Sequence, residues 1–214
     1  NAGYRTTDLI PICMTTRAPL VLMTHERTGF TSLADVLARG RVAGNTLNYG
    51  STGPGTTPHL SMATFARMSG IPLTHISYRG PAELAAALQA GDVHLYADIP
   101  NLVLKESGFR VLATLSPERN AAFPDAPTMR ELGFDLDFSI WLGLFAPLNT
   151  PQPIIDRYEA ACERATRAPA VIQGHERLQM PVMFRNAREF AAIVASDAAR
   201  FRRTIEEGNL RAAE

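Results

Sequence analysis

Three short β-rich runs, Thr46–Tyr49, Leu73–Tyr78 and Val93–Ala97, alternate with two stretches of helical period, Pro58–Met68 and Pro81–Ala90. No other feature constrains the fold as much. Strands joined in sequence by helices run parallel, because the helix is the crossover that carries the chain back to the same edge of the sheet. The expectation is an α/β fold with a mainly parallel sheet. The punctuation agrees: Pro81 suits a first helical position and Gly91 a helix stop.

The flanks read less regularly. Leu9–Thr16 and Pro19–Thr24 are strand-like runs interrupted at Arg17-Ala18-Pro19. Ser32 caps a helix over Leu33–Ala38, with Leu33, Val36 and Leu37 on one face. A short helix over Asn101–Glu106 and a strand over Arg110–Leu115 follow. Thr128 and Glu131 form a capping-box pair over a brief helix that Gly133 stops. Phe138–Phe145 reads as a long apolar strand. Beyond it the pattern is helical over Gln152–Arg167, Ala170–Leu178 and Ala187–Glu207, with a short strand at Val182–Phe184.

In parallel sheets, ligands bind where strands end and loops diverge, at the carboxyl edge. Three loops leave that edge here: Gly50–Thr57, Arg79-Gly80 and Asp98–Asn101. The first, Gly-Ser-Thr-Gly-Pro-Gly-Thr-Thr, has the makings of an anion site. Gly53 and Gly55 let backbone approach a ligand. Ser51, Thr52, Thr56 and Thr57 carry hydroxyls, and the following helix aims unpaired N–H groups back at the loop. The anion is a phosphate or a carboxylate, or the loop is only a turn. A P-loop needs a lysine after its second glycine, and Thr56 stands there instead. The dinucleotide fingerprint also fails for want of a third glycine.

Residues with acid–base chemistry are scattered. His59 is a base, an oxyanion donor or a hydrogen-bonded structural histidine, and the last reading is favoured because no nucleophile and carboxylate can be placed around it. Asp98 is a general base or an Asx-turn residue. His25, His75, His94 and His175 show no zinc-ligand spacing. Catalysis therefore has little support, and no cofactor or metal is expected.

The chain has 214 residues, 46% of them hydrophobic, enough for one large domain or two lobes. Its 21 basic and 21 acidic residues balance, so it carries no electrostatic footprint for nucleic acid or an anionic membrane. Cys13 and Cys162 lie far apart in apolar contexts, and free buried thiols are the expectation. No apolar run is long enough to span a bilayer. The opening Asn1-Ala2-Gly3 resembles the scar of a cleaved expression tag, so a missing leader says nothing about compartment.

Four segments in fixed order carry a resemblance: "YGSTGPGTTPHL", "ISYRGPAELAAALQAGDVHLYAD", "FRVLATLSPERNAAFPDAPTMRELG" and "WLGLFAPLNTP". Together they resemble the substrate-binding proteins of tripartite tricarboxylate transporters, the TctC or Bug family, from Tyr4 to about Ile205. The resemblance implies a type II-like periplasmic-binding-protein fold, whose two α/β lobes close on a small carboxylate-bearing solute. It places Ser51, Thr52, Gly53, Gly55, Thr56, Thr57 and His59 on the family's second-lobe binding loop. It places Tyr78, Arg79 and Gly80 on its Tyr-Lys-Gly turn, Asp98 at the border of the cleft and Trp141 near the lobe crossing. The chain departs from the family pattern at Ser77, Arg79, Asp92-Val93-His94 and Tyr96-Ala97. The family's opening strand, glycine-rich loop and helix have no counterpart in residues 1–7, which implies N-terminal truncation.

The resulting expectation is one complete lobe, 19–138, with 1–18 as a remnant of the first lobe and hinge, and 139–214 as the hinge return and first-lobe helices. The implied function is a periplasmic receptor working with the membrane subunits of a tripartite transporter, with no nucleic-acid partner. A homodimer through the truncated lobe is a further expectation, because helices 152–167 and 187–207 carry apolar stripes (Phe190, Ile193, Val194, Phe201) with fewer strands to cover. The alternatives are a degenerate homologue acting as an interaction or sensor protein and an enzyme using the anion loop.

Overall fold

The computed structural model describes residues 5–208 and 210. Tyr4 and the Asn1-Ala2-Gly3 tripeptide lie outside them. The described chain falls into two units, Asn1–Ala18 with Ile140–Arg200 and Pro19–Ser139 with Phe201–Glu214.

The larger unit is built on a five-stranded sheet in the order β4-β3-β5-β2-β6. Its strands are β2 (Val21–His25), β3 (Leu47–Ser51), β4 (Leu73–Ser77), β5 (Leu95–Asp98) and β6 (Phe109–Thr114). β3 pairs in parallel with β4 and β5, as the alternation requires. The sheet is nevertheless mixed rather than mainly parallel, because β2 lies antiparallel between β5 and β6. No sequence period distinguishes such an inserted strand from its parallel neighbours. Its consequence is geometric. The carboxyl ends of β3, β4 and β5 share an edge with the amino end of β2, where Val21 faces Asp98.

Helices cover both faces. On one side lies α2 (Thr57–Ser69), and on the other α3 (Pro81–Ala90) and α4 (Asn101–Lys105). Leu84 and Leu88 of α3 pack with Val21, Met23, Val93 and Tyr96 in a buried cluster that Leu102 and Val103 of α4 adjoin. Gly50 permits this contact, since a Cβ there would lie 2.8 Å from Leu84 Cδ1. α1 (Leu33–Gly40) starts on a reciprocal cap: Ser32 Oγ accepts from the Asp35 N–H at 3.3 Å, and Asp35 accepts from the Ser32 N–H at 2.9 Å. The Thr128–Glu131 pair also bonds reciprocally, at 2.7 and 3.0 Å. It closes a run of turns, however, not the expected helix. The Phe134 N–H returns to Met129, and Gly133 takes φ 89°.

The smaller unit carries a three-stranded sheet ordered β7-β1-β8, from β1 (Leu9–Pro19), β7 (Ser139–Pro147) and β8 (Val182–Arg185). β1 runs unbroken through Arg17-Ala18, and the interruption falls at Leu20. α5 (Gln152–Thr166), α6 (Pro169–Arg177) and the first part of α7 (Ala187–Glu207) complete it. Phe190 is fully buried against Trp141 and Phe145, with ring centroids 5.1 and 5.0 Å away. Part of the α7 stripe is thus covered within the chain. On the opposite face of β7, Leu142 and Leu144 are exposed.

Cys13 and Cys162 are joined in a disulfide, which corrects the free-thiol expectation. Their Cα atoms lie 6.7 Å apart across 149 residues of sequence. Spacing alone cannot reveal such proximity, because it is created by β1 packing under α5. The bond sits in a core of Ile12, Ala146 and Ile155.

Candidate functional site at the carboxyl edge

β3 delivers its loop at the shared edge, and the loop's shape is set by its own polar groups. Ser51 is fully buried and sits 2.7 Å from His75 Nε2 on β4. Its hydroxyl also bonds the Gly53 carbonyl at 3.0 Å and accepts from the Gly53 N–H at 3.1 Å. Thr56 Oγ1 donates to the same carbonyl at 2.8 Å and caps α2 by accepting from the His59 N–H at 3.4 Å. Gly53 and Gly55, at φ 138° and 78°, take backbone conformations that other residues rarely adopt.

His59 is structural in this network. The Gly55 N–H donates to its Nδ1 at 3.0 Å, which requires that nitrogen to be unprotonated. Its ring stacks on His75 at 4.1 Å, and Tyr49 lies 5.1 Å from His75 and 6.3 Å from His59. Burial holds the His59 imidazole below its usual range. Burial, with His59 beside it, lowers His75 to about 4. Burial alone pushes the Tyr49 phenol up to about 12. The cluster is therefore neutral near pH 7.

These bonds divide the sequence's candidate donors. The Ser51 and Thr56 hydroxyls are spent inside the loop. Among the described residues, the Thr52 and Thr57 hydroxyls have no hydrogen-bond partner, and both side chains are half-buried. The neighbouring loop lies alongside, since the Tyr78 N–H donates to the Ser51 carbonyl at 2.9 Å. The Arg79 N–H bonds Glu83 at 3.1 Å, while the exposed Arg79 guanidinium makes no ion pair among the described residues. Gly80 is the N-cap of α3. Tyr78 is raised by burial and by the nearby Asp92 and Glu83 carboxylates.

Asp98 faces elsewhere. It lies two residues from Tyr96 on the same strand face, toward α3 and α4. One carboxylate oxygen accepts from the Tyr96 hydroxyl and the other from the Ile99 N–H at 2.8 Å. Burial raises the Asp98 pKa despite those donors, and it raises Tyr96 too. Sequence reading missed this tyrosine as a partner, although the i, i+2 spacing marks the shared face. Among the described residues, no cluster of His, Cys, Asp and Glu is arranged to hold a metal ion.

The family model for the tripartite tricarboxylate transporter family receptor matches residues 1–210. This chain belongs to that family. The TctC relatives include a UPF0065 protein encoded between tcbD and tcbE in Pseudomonas sp. strain P51, 28% identical over 96% of this chain. BugT of Bordetella pertussis is 30% identical over 78% of it. This chain spans 62% and 52% of those two proteins. Among solved TctC-like structures, MatC from Rhodopseudomonas palustris with bound malate superposes with a TM-score of 0.83 at 25% identity, over 95% of this chain and 72% of that one. The periplasmic binding protein BugD gives 0.83 at 21% identity over 98% of this chain and 72% of its own, a likeness of fold. The TctC family is one of receptors, not of catalysts.

Proposed function

We propose that this chain is an extracytoplasmic receptor that takes a small carboxylate-bearing solute at the β3 loop and passes it to the membrane subunits of a tripartite transporter. The observation that carries this reading is the division of donors in the loop. Internal bonds fix its shape, while the Thr52 and Thr57 hydroxyls stay unspent beside the start of α2, where the helix dipole favours an anion. Arg79 on the adjacent turn adds an exposed guanidinium with no ion-pair partner among the described residues. Neutral donors on a pre-formed loop bind a carboxylate without burying a fixed counter-charge.

Two findings support the reading. MatC, of the same fold, holds malate. The disulfide suits an oxidising compartment such as the periplasm. Among the described residues, no helix is long and apolar enough to cross a membrane. A thermal-shift screen of mono-, di- and tricarboxylates tests the proposal. One narrow set should raise the melting temperature in proportion to the logarithm of its concentration. A flat response to all of them favours the non-binding homologue instead.

A further inference from the structure

The β3 loop is fastened at one point by a titratable side chain. The Gly55 N–H donates to His59 Nδ1 at 3.0 Å, which ties the middle of the loop to the first turn of α2. Because Nδ1 accepts, the neutral imidazole carries its proton on Nε2. The ring is buried and stacks on His75, with centroids 4.1 Å apart.

The loop's other bonds respond differently to a proton. Those of Ser51 and Thr56 to the Gly53 backbone join hydroxyls, a carbonyl and an amide, none of which titrates near neutrality. The contact of His75 Nε2 with Ser51 Oγ at 2.7 Å survives protonation, since an Nε2–H donates to a hydroxyl whether the ring is neutral or charged. The Gly55 bond does not survive it. A proton on His59 Nδ1 would set two donors against each other.

The surroundings offer an imidazolium no compensation. Among the described residues, β3 brings Tyr49 to the two rings and β4 brings His75. β5 turns Tyr96 and Asp98 to the opposite face, toward α3 and α4. The one charged residue of α2, Arg67, pairs with Glu207 at 2.9 Å, about two turns beyond His59. The adjacent turn carries Tyr78 and the exposed Arg79. No carboxylate from these elements faces either ring, so the closed loop excludes the proton and an open loop takes it up.

We propose that His59 is a proton-sensitive latch: neutral, it fastens Gly55 and holds the loop closed, and protonated, it releases Gly55 so that the loop opens. The latch rests on the carboxylate reading for its consequence, a receptor that holds its solute less well in acid. Its operation is read without any solute.

Amide exchange of Gly55, followed by NMR on the solute-free chain, tests it. Protection at Gly55 should fall about tenfold between pH 7.5 and pH 5.5, the shift for one proton excluded by the closed form alone at an ordinary imidazole pKa near 6.5. Low urea should leave that protection unchanged while it lowers that of β6, which marks a local opening. Imidazole ¹⁵N shifts at pH 7.5 should show the His59 proton on Nε2. His59→Asn, whose Oδ1 accepts but does not titrate, should keep Gly55 protected at both pH values. His59→Leu should leave it poorly protected at both, and His75→Gln should retain the fall. The proposal is overturned if wild-type protection is equal at the two pH values, if the proton sits on Nδ1, if His59→Asn keeps the fall, or if His75→Gln abolishes it. A Gly55 that titrates in a chain binding no carboxylate supports the latch and removes the carboxylate reading alone, so the two fail separately.

Discussion

The two units of this chain hold their order by different means. The smaller one has a three-stranded sheet, a disulfide in its core and exposed leucines on β7. The larger one has a five-stranded sheet covered on both faces, no cysteine, and a network of buried polar side chains at one edge. Small cores need staples, because they bury too little apolar surface to offset chain entropy. Large doubly covered sheets do not. They can devote an edge to polar groups whose arrangement matters for binding, and the candidate site lies at such an edge.

The largest effect expected from this contrast is loss of the staple. Reduction, or Cys13→Ser with Cys162→Ser, should destabilise the smaller unit by about 2–5 kcal/mol. The sole tryptophan, Trp141, lies in that unit and reports on it alone. Its fluorescence transition should move to lower temperature while the main far-UV transition of the larger unit stays in place. An unmoved Trp141 transition would break the contrast.

Two glycines sharpen it. A Cβ at Gly143 would lie 2.5 Å from the Cys13 carbonyl oxygen and 2.5 Å from the Phe190 ring, so backbone itself must shift. At Gly50 the obstacle is only the Leu84 side chain. Valine at either position should cost about 1–3 kcal/mol, with Gly143→Val the worse. Only Gly143→Val should move the Trp141 transition in urea.

Acid should act on the larger unit alone. His59 and His75 are held neutral by the fold, so below about pH 6.5 the unfolded chain takes up protons that the folded unit refuses until His75 titrates at about 4. The contribution of these two imidazoles to that unit's stability is complete above pH 6.5 and falls as the pH drops through this window. Solvent screening of the half-buried His75 imidazole keeps the effect below that of the glycine variants. Urea midpoints at pH 7 and pH 5 measure it, and a Trp141 transition that falls in step would contradict it. The smallest effect, about 1 kcal/mol, is expected for Ser32→Ala at the α1 cap.

Much of the fold was legible because its signals are local. Pro81 and Gly91 bound α3 as the sequence reading had them, and Ser32 caps α1. What escaped was non-local: β2 inserted antiparallel into the sheet, and Cys13 meeting Cys162. The turns at Thr128–Gly133 show the opposite failure, where correct capping chemistry closed a turn too short to propagate a helix. At the site, the residue types were legible but their roles were not. Four hydroxyls looked equivalent in sequence. Two of them, on Ser51 and Thr56, are consumed by carbonyl and imidazole partners that only the folded loop brings near, and Asp98 is claimed by Tyr96.

The central claim is that Thr52 and Thr57 are the loop's working donors. Calorimetric titration of malate, succinate and citrate into wild type and into Thr52→Val with Thr57→Val tests it directly. The account predicts saturable binding of at least one of these acids and a loss of about tenfold or more in the double variant, as expected for removing hydrogen bonds to a charged group. Equal affinity in both proteins would show that the loop is only a structural turn.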